Sequence, residues 1–271
     1  MKWKHRLPAL LLSIGAAASQ AQIQAPLRIG VTAGVTVDSI EAAAVEARKQ
    51  GLEVRVIEFS DFTTPNVALE AGDLDANYFQ HQAFLDNAIK ERGYKLRSVA
   101  IGVVSNIGLY STKYSRLEEV KDGARVAIAN DPSNQARALG LLAQAGLIQL
   151  RAGAGPLPRL DDIAANPRRL KFIEVDGIQI VRSLDDVELA PSLPHGLVRS
   201  GRGELADKAL FYAKGEPAYW AVQFVTRRNN ADDPRLRQFI KIYHESPAVR
   251  TAIRGAYANN DNLYGLPWIK P

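Results

Sequence analysis

What most constrains this chain is a repeated alternation of short apolar strands with helical runs that end in glycine. Leu27 to Thr32 (LRIGVT) is almost wholly apolar and reads as a buried strand. The Ala- and Glu-rich run Val37 to Gln50 follows as a helix, and Gly51 stops it. Glu53 to Phe59 (EVRVIEF) alternates with period two, the mark of a second strand. Thr64-Pro65 fits an N-cap followed by proline at the first helical position, where its missing N–H does no harm. Gly72 ends that helix. DLDANYF is a short strand, and a further helix runs to Arg92-Gly93. Such alternation predicts an α/β fold with a largely parallel sheet and helices on its faces.

One stretch breaks the pattern. Leu96 to Ser111 (LRSVAIGVVSNIGLYS) is too long for one ordinary strand and contains a Ser-Asn-Ile-Gly break. It reads either as two consecutive strands or as one strand crossing between lobes. The alternation then restarts. Arg125 to Asn130 is a strand, Asp131 to Gln135 a turn, and Gln135 to Ala145 a helix closed by Gly146. Leu170 to Val175 and Tyr219 to Arg228 are later strands. Asp233-Pro234 and Ser246-Pro247 start two final helices. The reading is two α/β lobes joined by crossing hinge strands. Residues 22–108 open the first lobe, 109–215 form the second, and 216–271 return to the first. Hinge points are expected near Asn106–Leu109 and Ala213–Tyr219. A ligand belongs in the cleft between lobes.

Composition enters through what it excludes. Lys2, Lys4 and Arg6 precede a short apolar run and a small-residue end, so residues 1–21 read as a signal peptide cleaved after Ala21. These three cations make up more than half of the formal +5 charge. The basic balance is therefore weak evidence for nucleic acid, and no such partner is expected. Cysteine is absent. That excludes thiol catalysis, Cys-based metal sites and a lipid-carrying cysteine, and from it a periplasmic, not lipid-anchored protein is expected. No hydrolase elbow, phosphate loop or HExxH motif occurs. His81, His195 and His244 are far apart in sequence. No metal, no cofactor and no enzymatic activity are expected.

Two stretches carry chemistry instead. DANYFQHQAFLDN, Asp75 to Asn87, sets Tyr78 and Phe79 beside Gln80 and His81 where a strand gives way to a helix. A core would take the aromatics without the histidine; a pocket wall takes both. ANDPSNQARAL, Ala129 to Leu139, places Arg137 near a helix N-terminus, where the dipole disfavours a cation. Either Arg137 holds a bound carboxylate in bidentate fashion, or it is a solvated residue on a helix face.

These blocks, with DDIAANPRRLKFIEVDGIQIVRSLDDVELA, resemble the NlpA-type methionine-binding lipoprotein family of ABC-importer substrate-binding proteins. The resemblance runs from about Leu27 to the C-terminus. It implies a bilobal periplasmic-binding-protein fold that holds a free amino acid, usually methionine, between its lobes. It also implies a membrane permease as partner. Carried over by position, Phe62 and Phe79, with Tyr78, would line the side-chain pocket, and His81 would add a polar contact. Asn134 and Arg137 would take the carboxylate. The family's Asn-Gly-Asn-Tyr-like loop is replaced here by APSLPHGL, Ala190 to Leu197, with His195 at the second Asn. A neutral His195 accepts a hydrogen bond from an ammonium, while a charged one repels it. Binding is therefore expected to fall as pH drops through the ordinary histidine range. The alternatives are a different small ligand on the same scaffold (another apolar amino acid, a methionine derivative, a short peptide) or a ligand sensor for a membrane receptor.

Overall fold

The computed structural model describes residues 25–214 and 218–269. The leader reading, residues 1–21, lies outside them, as does part of the second expected hinge. Strand β1 (Leu27–Thr32), helix α1 (Val35–Lys49), β2 (Val54–Phe59), α2 (Thr64–Ala71), β3 (Ala76–His81), α3 (Gln82–Arg92) and β4 (Leu96–Ile101) follow in order. Then come β5 (Val104–Ser105), β6 (Gly108–Tyr110), β7 (Arg125–Ala129) and α4 (Pro132–Gln144). After them run β8 (Gln149–Leu150), β9 (Ile163–Ala165), β10 (Lys171–Val175), β11 (Ala190–Ser192), α5 (Pro194–Arg199) and β12 (Phe211–Tyr212). The chain closes with β13 (Val222–Arg227), α6 (Pro234–Glu245), α7 (Pro247–Ala256) and β14 (Tyr264–Gly265).

The first lobe is built on a five-stranded sheet in the order β2-β1-β3-β13-β4. Its β1, β2 and β3 are parallel, as the helical crossovers require. The late strand β13 enters between β3 and β4, antiparallel to both, and ties the C-terminal part of the chain into the N-terminal sheet. Helices α1, α6 and α7 cover one face. Leu27, Ile29, Ile40, Phe224, Phe239, Tyr243 and Ile253 form the core beneath them. The second lobe gathers β6 with β11 and β12, and β7 with β10. Its own core is made by Leu109, Val126, Ile128, Leu139, Leu142 and Leu189.

The ambiguous stretch from Leu96 to Ser111 is three strands in three different sheets: β4 in the first lobe, β5 paired with β14, and β6 in the second. The first break is forced at Gly102. A Cβ there would lie 1.9 Å from the Tyr78 hydroxyl, so only glycine lets the chain pass.

Helix α4 starts three residues earlier than the sequence suggests. The Asp131 carboxylate accepts from the Asn134 N–H at 3.0 Å and Pro132 opens the helix, the same Asp-Pro device that starts α6. At α2 the N-cap position falls on Thr63 rather than Thr64. Asp61 supplies the cap, accepting from the N–H groups of both threonines at 2.7 Å. The segment Ala190 to Leu197 is not an open loop: β11 and the start of α5 occupy it.

Candidate functional site

A cleft of about 960 Å³ lies between the lobes. From the first lobe it takes the end of β1, the turn at Ala33-Gly34, Phe62, and the end of β3. From the second it takes α4, the turn after β10, and α5.

One wall is aromatic. Phe62 and Phe79 stack with ring centroids 6.2 Å apart, and Phe84 stands edge-on to each at 6.3 and 5.6 Å. Phe62 is held by the Asp61 turn at the head of α2. A buried amide network fixes α2 on β3: Asn77 donates to Asn66 Oδ1 at 2.9 Å and Gln80 donates to the same oxygen at 2.6 Å. Phe79 points into this wall from β3.

Tyr78 does not, contrary to the expectation that it lines the pocket. Neighbouring residues of a strand face opposite sides. Tyr78 is fully buried on the face covered by α1, α6 and α7, with its ring centroid 4.4 Å from that of Phe224. Its hydroxyl bonds the Tyr243 hydroxyl at 2.6 Å and accepts from the Val103 N–H at 3.1 Å.

His81 ends β3 and caps α3. Its Nδ1 accepts from the Phe84 N–H at 3.1 Å, so the ring proton sits on Nε2. Nε2 donates across the cleft to Asn134 Oδ1 at 3.2 Å. The Asn134 amide is itself oriented, since its Nδ2 donates to Asp131 Oδ2 at 2.9 Å. Burial, reinforced by the nearby Arg137 cation, pushes the His81 pKa down to about 3. His81 is therefore a neutral, directional bridge between lobes.

Arg137 lies in the second turn of α4, beyond the first-turn dipole that the sequence placed against it. The side chain is buried rather than solvated, with 7% exposure. Its Nη2 donates to the Ser105 carbonyl at 2.7 Å. Its guanidinium carbon lies 4.9 Å from the Trp220 ring centroid, within cation–π range. The same Trp220 meets His81 edge-on at 4.8 Å.

His195 projects from α5 against the first lobe. Its ring stands edge-on to Tyr257 at 5.7 Å. Gly34 (φ 102°) receives it: a Cβ there would lie 2.6 Å from His195 Nδ1. That nitrogen is enclosed without a hydrogen-bond partner among the described residues. Burial and then the Arg137 cation lower the His195 pKa to about 4. The expected loss of binding through the ordinary histidine range is thus displaced to strongly acid solution. At the cleft mouth Arg199 of α5 reaches Asp38 at 3.4 Å and Glu58 at 3.2 Å in the first lobe.

Phe62, Phe79, His81, Asn134, Arg137 and His195 therefore all line one cleft, and Tyr78 does not. Phe84 and Trp220 were not expected there. Phe84 had a signal, lying three residues after the capping His81 and thus on the same side of the first helical turn. Trp220 had none, because it sits in a short 3-10 turn before β13 that reads as part of the strand. An aromatic wall facing a buried guanidinium suits a small molecule with an apolar chain and a carboxylate.

The NlpA lipoprotein family model matches residues 27–263. The D-methionine-binding lipoprotein MetQ of Salmonella typhimurium is 39% identical over 227 residues, 83% of this chain and 84% of that protein. A periplasmic substrate-binding protein of an ABC transporter from Coxiella burnetii superposes with a TM-score of 0.79 at 40% identity, covering 86% of this chain and 97% of that one. A nutrient-binding protein from Burkholderia cenocepacia bound to methionine superposes with a TM-score of 0.77 at 37% identity, covering 86% and 97%. The family and the Salmonella relative are lipoproteins by description, and this overturns the expectation of a protein without a lipid anchor. That expectation rested on the missing cysteine, which removes one attachment point and does not establish a soluble state. With the family model matched from strand β1 to the segment before β14, the chain belongs to the NlpA lipoprotein family.

Proposed function

We propose that the protein is the substrate-binding component of an ABC importer. It takes methionine, or a close relative of it, between its lobes and presents it to a membrane permease. The observation that carries this reading is the pairing of the Phe62–Phe79–Phe84 wall with buried Arg137 across one cleft. The thioether chain lies against the aromatic wall, where sulfur–ring contacts add to apolar burial. Arg137 takes the carboxylate, with Asn134 beside it. His195, neutral, offers a lone pair to the ammonium. The fit of the chain to a methionine-bound structure and to a D-methionine-binding relative supports the ligand class. The protein works by binding and release rather than by catalysis. Hinge closure runs through the crossing segments near Asn106–Leu109 and Ala213–Tyr219.

The test is a thermal-shift screen of purified protein against both enantiomers of methionine and the other amino acids. A ligand at a hundred times its Kd stabilises by about 2.7 kcal/mol. Stabilisation by methionine of either hand is the expected result. A response confined to unrelated compounds sinks the assignment.

A further inference from the structure

Tyr257 does not line the cleft, yet it touches two residues that do: its ring meets His195 edge-on and its hydroxyl reaches Ser105. It is fully buried at the end of α7 and stacks on Tyr264, with ring centroids 4.7 Å apart. Its hydroxyl bonds Ser105 Oγ. Burial pushes the Tyr257 pKa well up, so the hydroxyl keeps its proton. Ser105 belongs to β5, the short crossing strand between lobes, which the C-terminal segment clamps. Tyr264 and Gly265 pair with Ser105 and Val104, and the Asn106 N–H donates to the Leu263 carbonyl at 3.0 Å. The carbonyl of that same Ser105 accepts from Arg137 Nη2 at 2.7 Å. The guanidinium face is set separately by Trp220. A planar guanidinium with one N–H fixed on a carbonyl and one face fixed on a ring has little rotational freedom left.

We propose that Tyr257, acting through Ser105, is a positioning residue for Arg137: the Tyr257–Ser105 pair sets the carbonyl that aims the guanidinium at the ligand's carboxylate. The inference rests on the amino-acid reading of the cleft. It assigns the C-terminal segment, which lies outside the cleft lining, a part in recognising the carboxylate.

The experiment is calorimetric titration of the full-length protein and of Tyr257→Phe, Ser105→Ala and the double variant. The ligands are methionine and methioninamide of the same hand; methioninamide keeps the side chain and amine but lacks the carboxylate charge. Wild type should favour methionine. Each single variant should reduce that preference about five- to tenfold, the worth of roughly one hydrogen bond, through weaker methionine binding with methioninamide little changed. The double variant should be no worse than either single one, because both break the same link. A merely structural role weakens both ligands alike and leaves their ratio unmoved, which overturns the proposal, as does additivity in the double variant. Ser105→Ala keeps the Tyr257 ring packed and serves should Tyr257→Phe fail to fold. If wild type binds neither enantiomer of methionine, the ligand assignment itself fails, and this inference with it.

Discussion

The two cleft histidines make an acid-sensitivity prediction that can be worked through. An unfolded histidine titrates near 6.5, whereas His81 and His195 in the folded protein are held at about 3 and about 4. Their folded values lie below the unfolded one, so the unfolded state binds more protons throughout the interval between them. Stability is complete above about pH 6.5 and is lost as pH falls below it. One pH unit on one such group is about 1.4 kcal/mol. At pH 5, about 1.5 units below the unfolded value, each histidine costs about 2 kcal/mol and the pair about 4. That is a large part of the roughly 5–15 kcal/mol that holds an ordinary domain together. His244, also lowered by burial, adds in the same direction. The salt-bridged carboxylates Asp75 and Glu188 have lowered pKa values and stay ionised across this window. The assay is urea unfolding of ligand-free protein at pH 7.5 and pH 5, for wild type, His81→Gln and His195→Gln. Each variant should lose about 2 kcal/mol less than wild type on acidification. Equal losses in all three proteins would show that these rings are not buried neutral, and would refute the argument. Methionine affinity measured over the same two pH values should stay flat, because neither ring charges in the folded cleft.

Three further outcomes are expected. Arg137→Ala should weaken methionine binding by roughly 30-fold or more, since truncating one member of a buried charge pair costs about 2–5 kcal/mol; calorimetry checks it, and a change under threefold contradicts it. Tyr78→Phe should destabilise the fold by about 1–3 kcal/mol in urea, because the buried Val103 N–H loses its acceptor. Its methionine affinity should match wild type, as Tyr78 is outside the cleft. Gly34→Ala adds a methyl at a φ of 102°, 2.6 Å from His195 Nδ1. It should wedge the lobes apart, seen as at least tenfold weaker binding and a larger radius of gyration than wild type in small-angle scattering with saturating methionine.

Local physics explains which elements were legible. The strands β1, β2, β7 and β10 announce themselves by apolar runs or period-two alternation, and glycine stops mark the ends of α2 and α3. Asp131-Pro132 reads in the sequence as a turn, although it caps α4 in the way that Asp233-Pro234 caps α6. The polar Ser133-Asn134-Gln135 that follows hid it, since a helix whose first turn faces a cleft lacks the apolar stripe of one lying on a core. The earlier start also moves Arg137 out of the first turn and away from the positive end of the helix dipole. The correct reason for a buried arginine there, a carbonyl from β5 and a ring from Trp220, joins three remote parts of the chain.

The aromatic pair in DANYFQH shows the limit more sharply. Every residue of β3 is buried, because α1, α6 and α7 cover one face of its sheet, α2 and α3 lie on the other, and the lobes close over its C-terminal end. Hydrophobicity then says that both Tyr78 and Phe79 belong inside, and says nothing about which inside. Alternation guarantees only that the two face opposite ways. Fixing the parity needs a third point, and Tyr243 supplies it from more than a hundred residues away by accepting Tyr78 into its hydroxyl network. Once Tyr78 is committed to the α6 side, Phe79 can only face Phe62 and Phe84. His81, at the next odd position, is then carried to the cleft where Asn134 meets it. The pocket wall is thus set by a core contact on the far side of the sheet.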